Sequence, residues 1–101
     1  MSRSSHNLQS LSVKRTSSFV MNGTTTFTVK GLGICPNGGG NKFFTLCIPV
    51  SGVSCRQVLS ELSLLTSDCS IAVEFDGTIA DDGFVTVETL RTLKVHHHHY
   101  R

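Results

Sequence analysis

Residues 27–50 have the sequence FTVKGLGICPNGGGNKFFTLCIPV, and this stretch decides the predicted fold. Two β-prone apolar runs flank the glycine-rich residues 36–41, and glycine supplies the positive φ angles that tight turns need. The pattern predicts a β-hairpin, with a first strand at about residues 25–35 and an antiparallel second strand over residues 43–50. Gly31 and Gly33 interrupt the first strand, which predicts a bulge or a close backbone contact there.

One helix and two further strands are predicted after the hairpin. Ser54 is a suitable helix N-cap with Gln57 three residues later, and apolar residues then recur at helical spacing, which predicts a helix at about residues 54–65. A third strand is expected over residues 70–75, and a final strand near residues 90–95. Residues 76–78 and 81–83 have turn compositions, and Phe84 is predicted to anchor the chain in the core.

This order of elements predicts an α+β fold of the ubiquitin-like β-grasp kind: a roll made of a β-hairpin, one main helix and two further strands. Residues 1–20 are predicted to be a flexible, Ser/Thr-rich basic arm, residues 21–95 the β-grasp domain, and residues 96–101 a His-rich tail. No run of 18 apolar residues exists, so no membrane span is expected. Residues 1–10 carry no secretory signal, so an intracellular location, cytoplasmic or nuclear, is predicted.

Charge is segregated along the chain. Residues 1–60 contain six basic side chains and no acid, residues 61–88 contain all seven acids and no Lys or Arg, and residues 89–101 contain three basic side chains. Such segregation predicts a body with one basic and one acidic face, which would attract copies of itself head to tail or a relative with complementary faces. The other interpretation is chance combined with solvated loops.

The residues that usually carry catalysis or bind metals are sparse. The four cysteines lack CxxC spacing, so no metal site is expected. Because no secretory signal is found, we expect all four to be reduced thiols in or near the core. Residues 21–95 contain no His, the usual general base near neutral pH. No catalytic residue and no cofactor are therefore predicted, and we do not expect an enzyme.

Two segments resemble the CIDE-N domain, the interaction module of apoptotic DNA-fragmentation and lipid-droplet proteins. Residues 54–62, SCRQVLSEL, resemble its first helix, and residues 73–84, VEFDGTIADDGF, resemble its strand–turn pattern. The resemblance covers about residues 27–95 and implies a ubiquitin-like fold that associates by docking an acidic face on a basic one. The chain departs from the pattern at Phe75, where an acid often occurs, and in the glycine-rich first hairpin.

Carried over by position, the resemblance implies two partner-binding faces. Its acidic face would contain Glu74, Asp76, Asp81 and Asp82. Its basic face would contain Lys30, Lys42 and Arg56. The expected function is a protein–protein interaction module that self-associates or pairs head to tail, with a role in apoptotic DNA fragmentation implied by the resemblance.

The alternative function is a viral or phage structural or accessory protein. In this hypothesis a β-rich body carries a basic arm, with Arg3, Lys14 and Arg15, that touches nucleic acid or neighbouring subunits. Support for a nucleic-acid partner is weak at this level, because phosphate binding normally uses a denser cluster of cations.

Overall fold

The computed structural model describes residues 4–35, 38–50, 55–62 and 69–97. The elements in chain order are β1 (Ser4–Met21), β2 (Thr24–Ile34), β3 (Asn41–Val50), α1 (Cys55–Leu62), β4 (Cys69–Ile79) and β5 (Phe84–His97). The strands close into a barrel in the order β1-β2-β3-β5-β4. All neighbours are antiparallel except β3 and β5, which run parallel. The strand order, the parallel pair and the helix between β3 and β4 are those of the OB-fold topology.

Strand β1 closes the barrel because it pairs with two neighbours. Its first part, Ser4–Ser12, pairs with β4, and residues from Ser12 to Met21 pair with β2. Its side chains Leu8, Leu11 and Val13 are buried in the core. The prediction of a flexible arm is therefore wrong for residues 4–20, since apolar side chains of this segment complete the interior.

The core is filled by alternating inward side chains of the strands. In β3, Phe44, Leu46 and Ile48 are buried while the residues between them are more exposed. The same alternation occurs in β4, where Ile71, Val73 and Phe75 are fully buried. Because successive side chains of a strand point to opposite faces, one face of each strand lies inside the barrel and the other is on its outer surface.

The predicted hairpin is confirmed. Strands β2 and β3 are antiparallel from Thr25 opposite Val50 to Ile34 opposite Asn41. In the connection, Gly38 and Gly40 have φ angles of 89° and 85°. A Cβ on Gly31 would lie 2.5 Å from the carbonyl oxygen of Ser12, which confirms the predicted close backbone contact.

The prediction of an α+β β-grasp roll with a main helix is wrong, because the described chain is nearly all β and forms a closed barrel. Strand β1 changes the topology: it lies between β2 and β4 and joins the hairpin to the later strands. Helix α1 lies within the range predicted for a helix, but it is only eight residues long, and it contacts β3 and β5 and buries Leu62 in the core.

Three local predictions also differ from the structure. Residues 76–78, predicted as a turn, lie inside β4. Phe84, predicted as a core anchor, is 46% exposed, while Val85 beside it is fully buried. Strand β5 extends to His97, two residues into the predicted tail, and residues 98–101 lie outside the described ranges.

Within the described ranges, no helix is long and apolar enough to cross a membrane.

Replacing Leu11 by Ala tests whether β1 is part of the core. Leu11 is fully buried, so Leu11→Ala should lower the free energy of unfolding by about 2–5 kcal/mol in urea titrations. Val20 in the same strand is 70% exposed, so Val20→Ala should change it by less than about 0.5 kcal/mol. Equal effects of the two substitutions would show that β1 does not contribute to the core.

Candidate functional site

The outer surface of β1, β2 and β3, with the start of β5, carries the most distinctive exposed side chains. We call it the outer sheet face and define it by Arg15, Phe19, Lys30, Leu32, Phe43 and Phe84. The strand register arranges its residues in rows: Arg15 lies opposite Lys30, Lys30 opposite Thr45, and Thr45 beside Phe84. In the next row Leu32 lies opposite Phe43.

Two exposed phenylalanines lie on adjacent strands of this face. Phe43 is 61% exposed, whereas its neighbour Phe44 is buried. Phe84 begins β5, and its position is set by Gly83, whose carbonyl oxygen accepts a hydrogen bond of 3.0 Å from the Thr45 amide. Exposed phenylalanine side chains cost hydration free energy and are typical of binding surfaces when they occur together.

A bulge at Lys14 brings β1 side chains onto the same face. The register of β1 with β2 shifts between Val13 and Arg15. Before the shift the odd-numbered residues Leu11 and Val13 are buried, and after it Arg15 and Phe19 are exposed. One inserted residue reverses which side chains point outward, because successive residues of a strand alternate between faces.

The outer sheet face has an unbalanced positive charge. Residues 1–60 contain no Asp or Glu, so strands β1, β2 and β3 carry no acid. Arg15 and Lys30 are both exposed and lie directly opposite each other on paired strands. Like charges opposite one another destabilise a sheet, and a bound anion would remove that repulsion. This pair is therefore suited to contact a ligand phosphate or carboxylate.

A half-buried thiol, that of Cys47, lies on β3 one row away from the Lys30–Thr45 pair. Cys47 pairs with Thr28, and burial raises the pKa of its thiol, while a hydrogen bond with the Thr28 side chain acts in the opposite direction. Within the described part of the structure, Cys35, Cys47 and Cys69 form no disulfide bond. Because the thiolate is the reactive form, Cys47 should react slowly with alkylating agents near neutral pH.

Two of the predicted acidic residues lie on the outer surface of β4 and are engaged by neighbours. Asp76 accepts hydrogen bonds from Ser5 at 2.8 Å and from Arg91 Nη2 at 2.7 Å. The hydrogen bond with Asp76 raises the pKa of the Arg91 guanidinium. Glu74 accepts a hydrogen bond from the Thr92 hydroxyl at 3.0 Å. These carboxylates have partners on β5 and β1 of the same molecule.

The other two predicted acids, Asp81 and Asp82, lie in the loop between β4 and β5. Asp82 accepts a hydrogen bond of 3.0 Å from the Phe84 amide, which shapes this loop. Lys42, predicted for the basic face, donates a hydrogen bond to the carbonyl oxygen of Asp81. The structure thus places a predicted basic residue and two predicted acidic residues side by side.

Of the predicted basic residues, Lys30 alone lies in the centre of the outer sheet face, and Lys42 lies at its border with the β4–β5 loop. Arg56 belongs to α1, and its side chain lies outside the described part of the structure. Sequence reasoning missed Phe43 and Phe84 as surface residues, and it placed Arg15 on a flexible arm instead of on the barrel. For Phe43, the alternation of inward and outward side chains along the strand that contains Phe44 would have predicted exposure. For Arg15, the bulge at Lys14 interrupts that alternation.

The described residues contain no group of three or more His, Cys, Asp or Glu side chains that could hold a metal ion.

Replacing Gly83 by Ala tests how the β4–β5 loop positions Phe84. Gly83 has a φ of 90°, and a Cβ there would lie 2.2 Å from the carbonyl oxygen of Phe43. Gly38 has a similar φ of 89° but no atom within 4 Å of the added Cβ, so it isolates the conformational cost. Gly83→Ala should lower the unfolding free energy by about 2–4 kcal/mol and Gly38→Ala by about 1 kcal/mol in urea titrations. Equal losses would show that the contact with Phe43 is unimportant.

Comparisons of the chain with protein-family models, with curated proteins and with solved structures find no match. The resemblance to the CIDE-N domain is therefore not supported by any relative, and the ubiquitin-like fold that it implies is replaced by the closed barrel.

Proposed function

We propose that this protein binds single-stranded nucleic acid on the outer sheet face. The observation that carries the proposal is the pair of exposed phenylalanines, Phe43 and Phe84, next to the directly opposed cations Arg15 and Lys30. Proteins that bind single strands without strong sequence preference combine aromatic side chains, on which bases stack, with cations that follow the phosphate backbone. Both components occur here on one surface.

The aromatic component favours a single strand over a duplex. A base can stack on Phe43 or Phe84 only when its flat face is available, which is true of unpaired nucleotides. Stacking does not depend on base identity, since every base has a π-face. The apolar side chain of Leu32 beside Phe43 extends this contact surface.

The cationic component accounts for affinity to a polyanion despite a formal net charge of only +2. All seven acids follow residue 60 in the sequence, so β1, β2 and β3 contain cations and no carboxylate. Hydroxyl groups of Thr28 and Thr45 flank Lys30 on this face and can hydrogen-bond phosphate or sugar oxygens.

The topology adds general support. OB-fold barrels commonly bind oligonucleotides or oligosaccharides on the face formed by β2 and β3, with the β1–β2 and β4–β5 loops at its borders. In this chain the exposed phenylalanines lie on β3 and beside the β4–β5 loop. Of these two ligand classes, the opposed Arg15–Lys30 pair favours the oligonucleotide, because an oligonucleotide is a polyanion.

The proposal keeps the nucleic-acid partner of the viral or phage hypothesis but moves the contact from an arm to the barrel surface. Self-association through opposed acidic and basic faces receives less support, because Lys42 is bonded to the acidic loop and Asp76 to Arg91 within one molecule. Salt-sensitive assembly without nucleic acid, abolished by Asp81→Lys with Asp82→Lys, would favour that hypothesis instead.

Replacing Phe43 by Ala should weaken binding of a fluorescein-labelled oligothymidylate about 5- to 150-fold in anisotropy titrations, because stacking contributes about 1–3 kcal/mol per base. Phe84→Ala should have a similar effect. Ile34 is a matched control: it is 64% exposed on the neighbouring strand but is not aromatic, so Ile34→Ala should change affinity less than two-fold, by about 0.4 kcal/mol at most.

Absence of oligonucleotide binding by the wild-type protein at low salt would refute the proposed function. Binding that is undiminished in both phenylalanine variants would locate the ligand elsewhere on the barrel. The unfolding free energies of the variants, measured in parallel, show whether an affinity loss reflects folding.

Salt dependence tests the cations separately. For the wild type, the logarithm of affinity should fall linearly with the logarithm of salt concentration, and Lys30→Gln should reduce the slope by about 0.7, the value for one lost phosphate contact on a single strand. Lys94 on β5 is exposed away from the outer sheet face, so Lys94→Gln removes the same charge and should leave the slope unchanged. Equal slopes for the two variants would contradict a phosphate contact by Lys30.

A further inference from the structure

We infer that two copies of this chain form a two-fold dimer through the edge of β1, residues 15–21, that no described strand pairs with. Pairing of β1 with β4 ends at Ser12 opposite Ser70, and within the described ranges residues 15–21 pair only with β2. Their other edge presents backbone N–H and C=O groups that no described strand satisfies. An edge of this kind is a template for pairing with another chain.

The composition of this edge favours pairing with another chain, because the features that normally prevent such pairing are missing from it. Natural edge strands are usually protected by charges, proline, bulges or a covering element. From Thr16 to Met21 the edge carries no charge and no proline, and the bulge at Lys14 precedes it. Phe19 and Val20 leave 41% and 70% of their surfaces exposed there.

An open edge of β5 provides a contrast within the described part of the same molecule. Beyond Thr86, β5 pairs only with β4 among the described strands, and it carries extra residues at Glu88 and Arg91 where its register with β4 shifts. Helix α1 also contacts β5. This edge has the protection that residues 15–21 lack, so the observations select β1 as the interface.

A second copy fits the β1 edge because the segment is complementary to itself. Full antiparallel overlap of residues 15–21 with their copies places the two-fold axis at Ser18. Phe19 then lies opposite Ser17 of the other copy, Val20 opposite Thr16, and Arg15 opposite Met21, so no like charges face each other. The two Phe19 side chains become diagonal neighbours, at a separation of about 7–8 Å between backbone positions.

In this two-fold dimer, the outer sheet faces of the two copies would also join into one continuous surface. Opposed residues of an antiparallel pair point to the same side of a sheet, so β3, β2 and β1 of each copy would form a single six-stranded sheet. Dimer formation does not depend on nucleic-acid binding, since the interface is the edge of residues 15–21, which among the described strands pairs only with β2 on its other side.

The test is sedimentation equilibrium of the full chain without nucleic acid over a range of protein concentrations. The wild type should show a concentration-dependent dimer. Ser18→Lys should weaken it about 5-fold, because the two ammonium groups would be directly opposed, and high salt should restore it. Thr78 is an exposed residue of β4, so Thr78→Lys adds the same charge elsewhere and should leave dimerisation unchanged.

A complementary pair of variants tests the position of the axis. Ser18→Glu alone should also weaken the dimer, while an equimolar mixture of the Ser18→Glu and Ser18→Lys proteins should form a heterodimer tighter than either homodimer. A wild type that is monomeric at every concentration, or dimers that are indifferent to charge at Ser18, would overturn the inference. Ser18 points away from the outer sheet face, so oligonucleotide affinity measured on the monomer should be unaffected, which separates this test from that of the proposed function.

Discussion

The structure depends on one strand that must pair with two different neighbours. Strand β1 bonds to β4 with its first part and to β2 with its second, and without it the hairpin and the later strands share only the short β3–β5 contact. The change of partner requires β1 to bend, and the bend requires a neighbour without a side chain. Gly31 meets that need, because a Cβ there would collide with Ser12 and Leu11. The bulge at Lys14 follows at the same bend.

The same bend explains why the surface of the barrel has two chemical characters. Ahead of the bulge, the apolar side chains of β1 complete the core, and beyond it Arg15 and Phe19 join Lys30 on the exterior. Since the first three strands contain no acid, the exterior beyond the bend is cationic and aromatic. On β4, by contrast, Asp76 is held by Arg91 and Ser5. Charge segregation in the sequence therefore corresponds to different strands of one barrel.

Much of the local structure could be predicted from the sequence, and the topology could not. The alternation in residues 43–50 and the glycines after residue 36 are sufficient to predict β2, β3 and their connection, because both signals are local. Strand β1 was missed because register shifts near Leu8 and Lys14 break its alternation, and because Ser and Thr dominate its composition. Omitting that strand leaves the order β-β-α-β-β, which is that of the β-grasp roll.

The candidate site was predictable only in part, for a related reason. Lys30 and Lys42 could be selected from the charge pattern, but their neighbours depend on register across strands, which the sequence does not reveal. Phe84 looked like a core residue because an aromatic after a turn often packs inward. Its amide instead bonds to Asp82, and the strand that follows turns Val85 to the interior.

The parallel seam between β3 and β5 consists of three residue pairs, from Thr45 beside Phe84 to Cys47 beside Thr86. It is the shortest junction in the barrel, so local opening and hydrogen exchange should begin there. Phe43 and Phe84 lie on opposite sides of this seam. A single strand of nucleic acid stacked on both rings would bridge this seam and slow its opening. A bound ligand would therefore make the barrel more rigid.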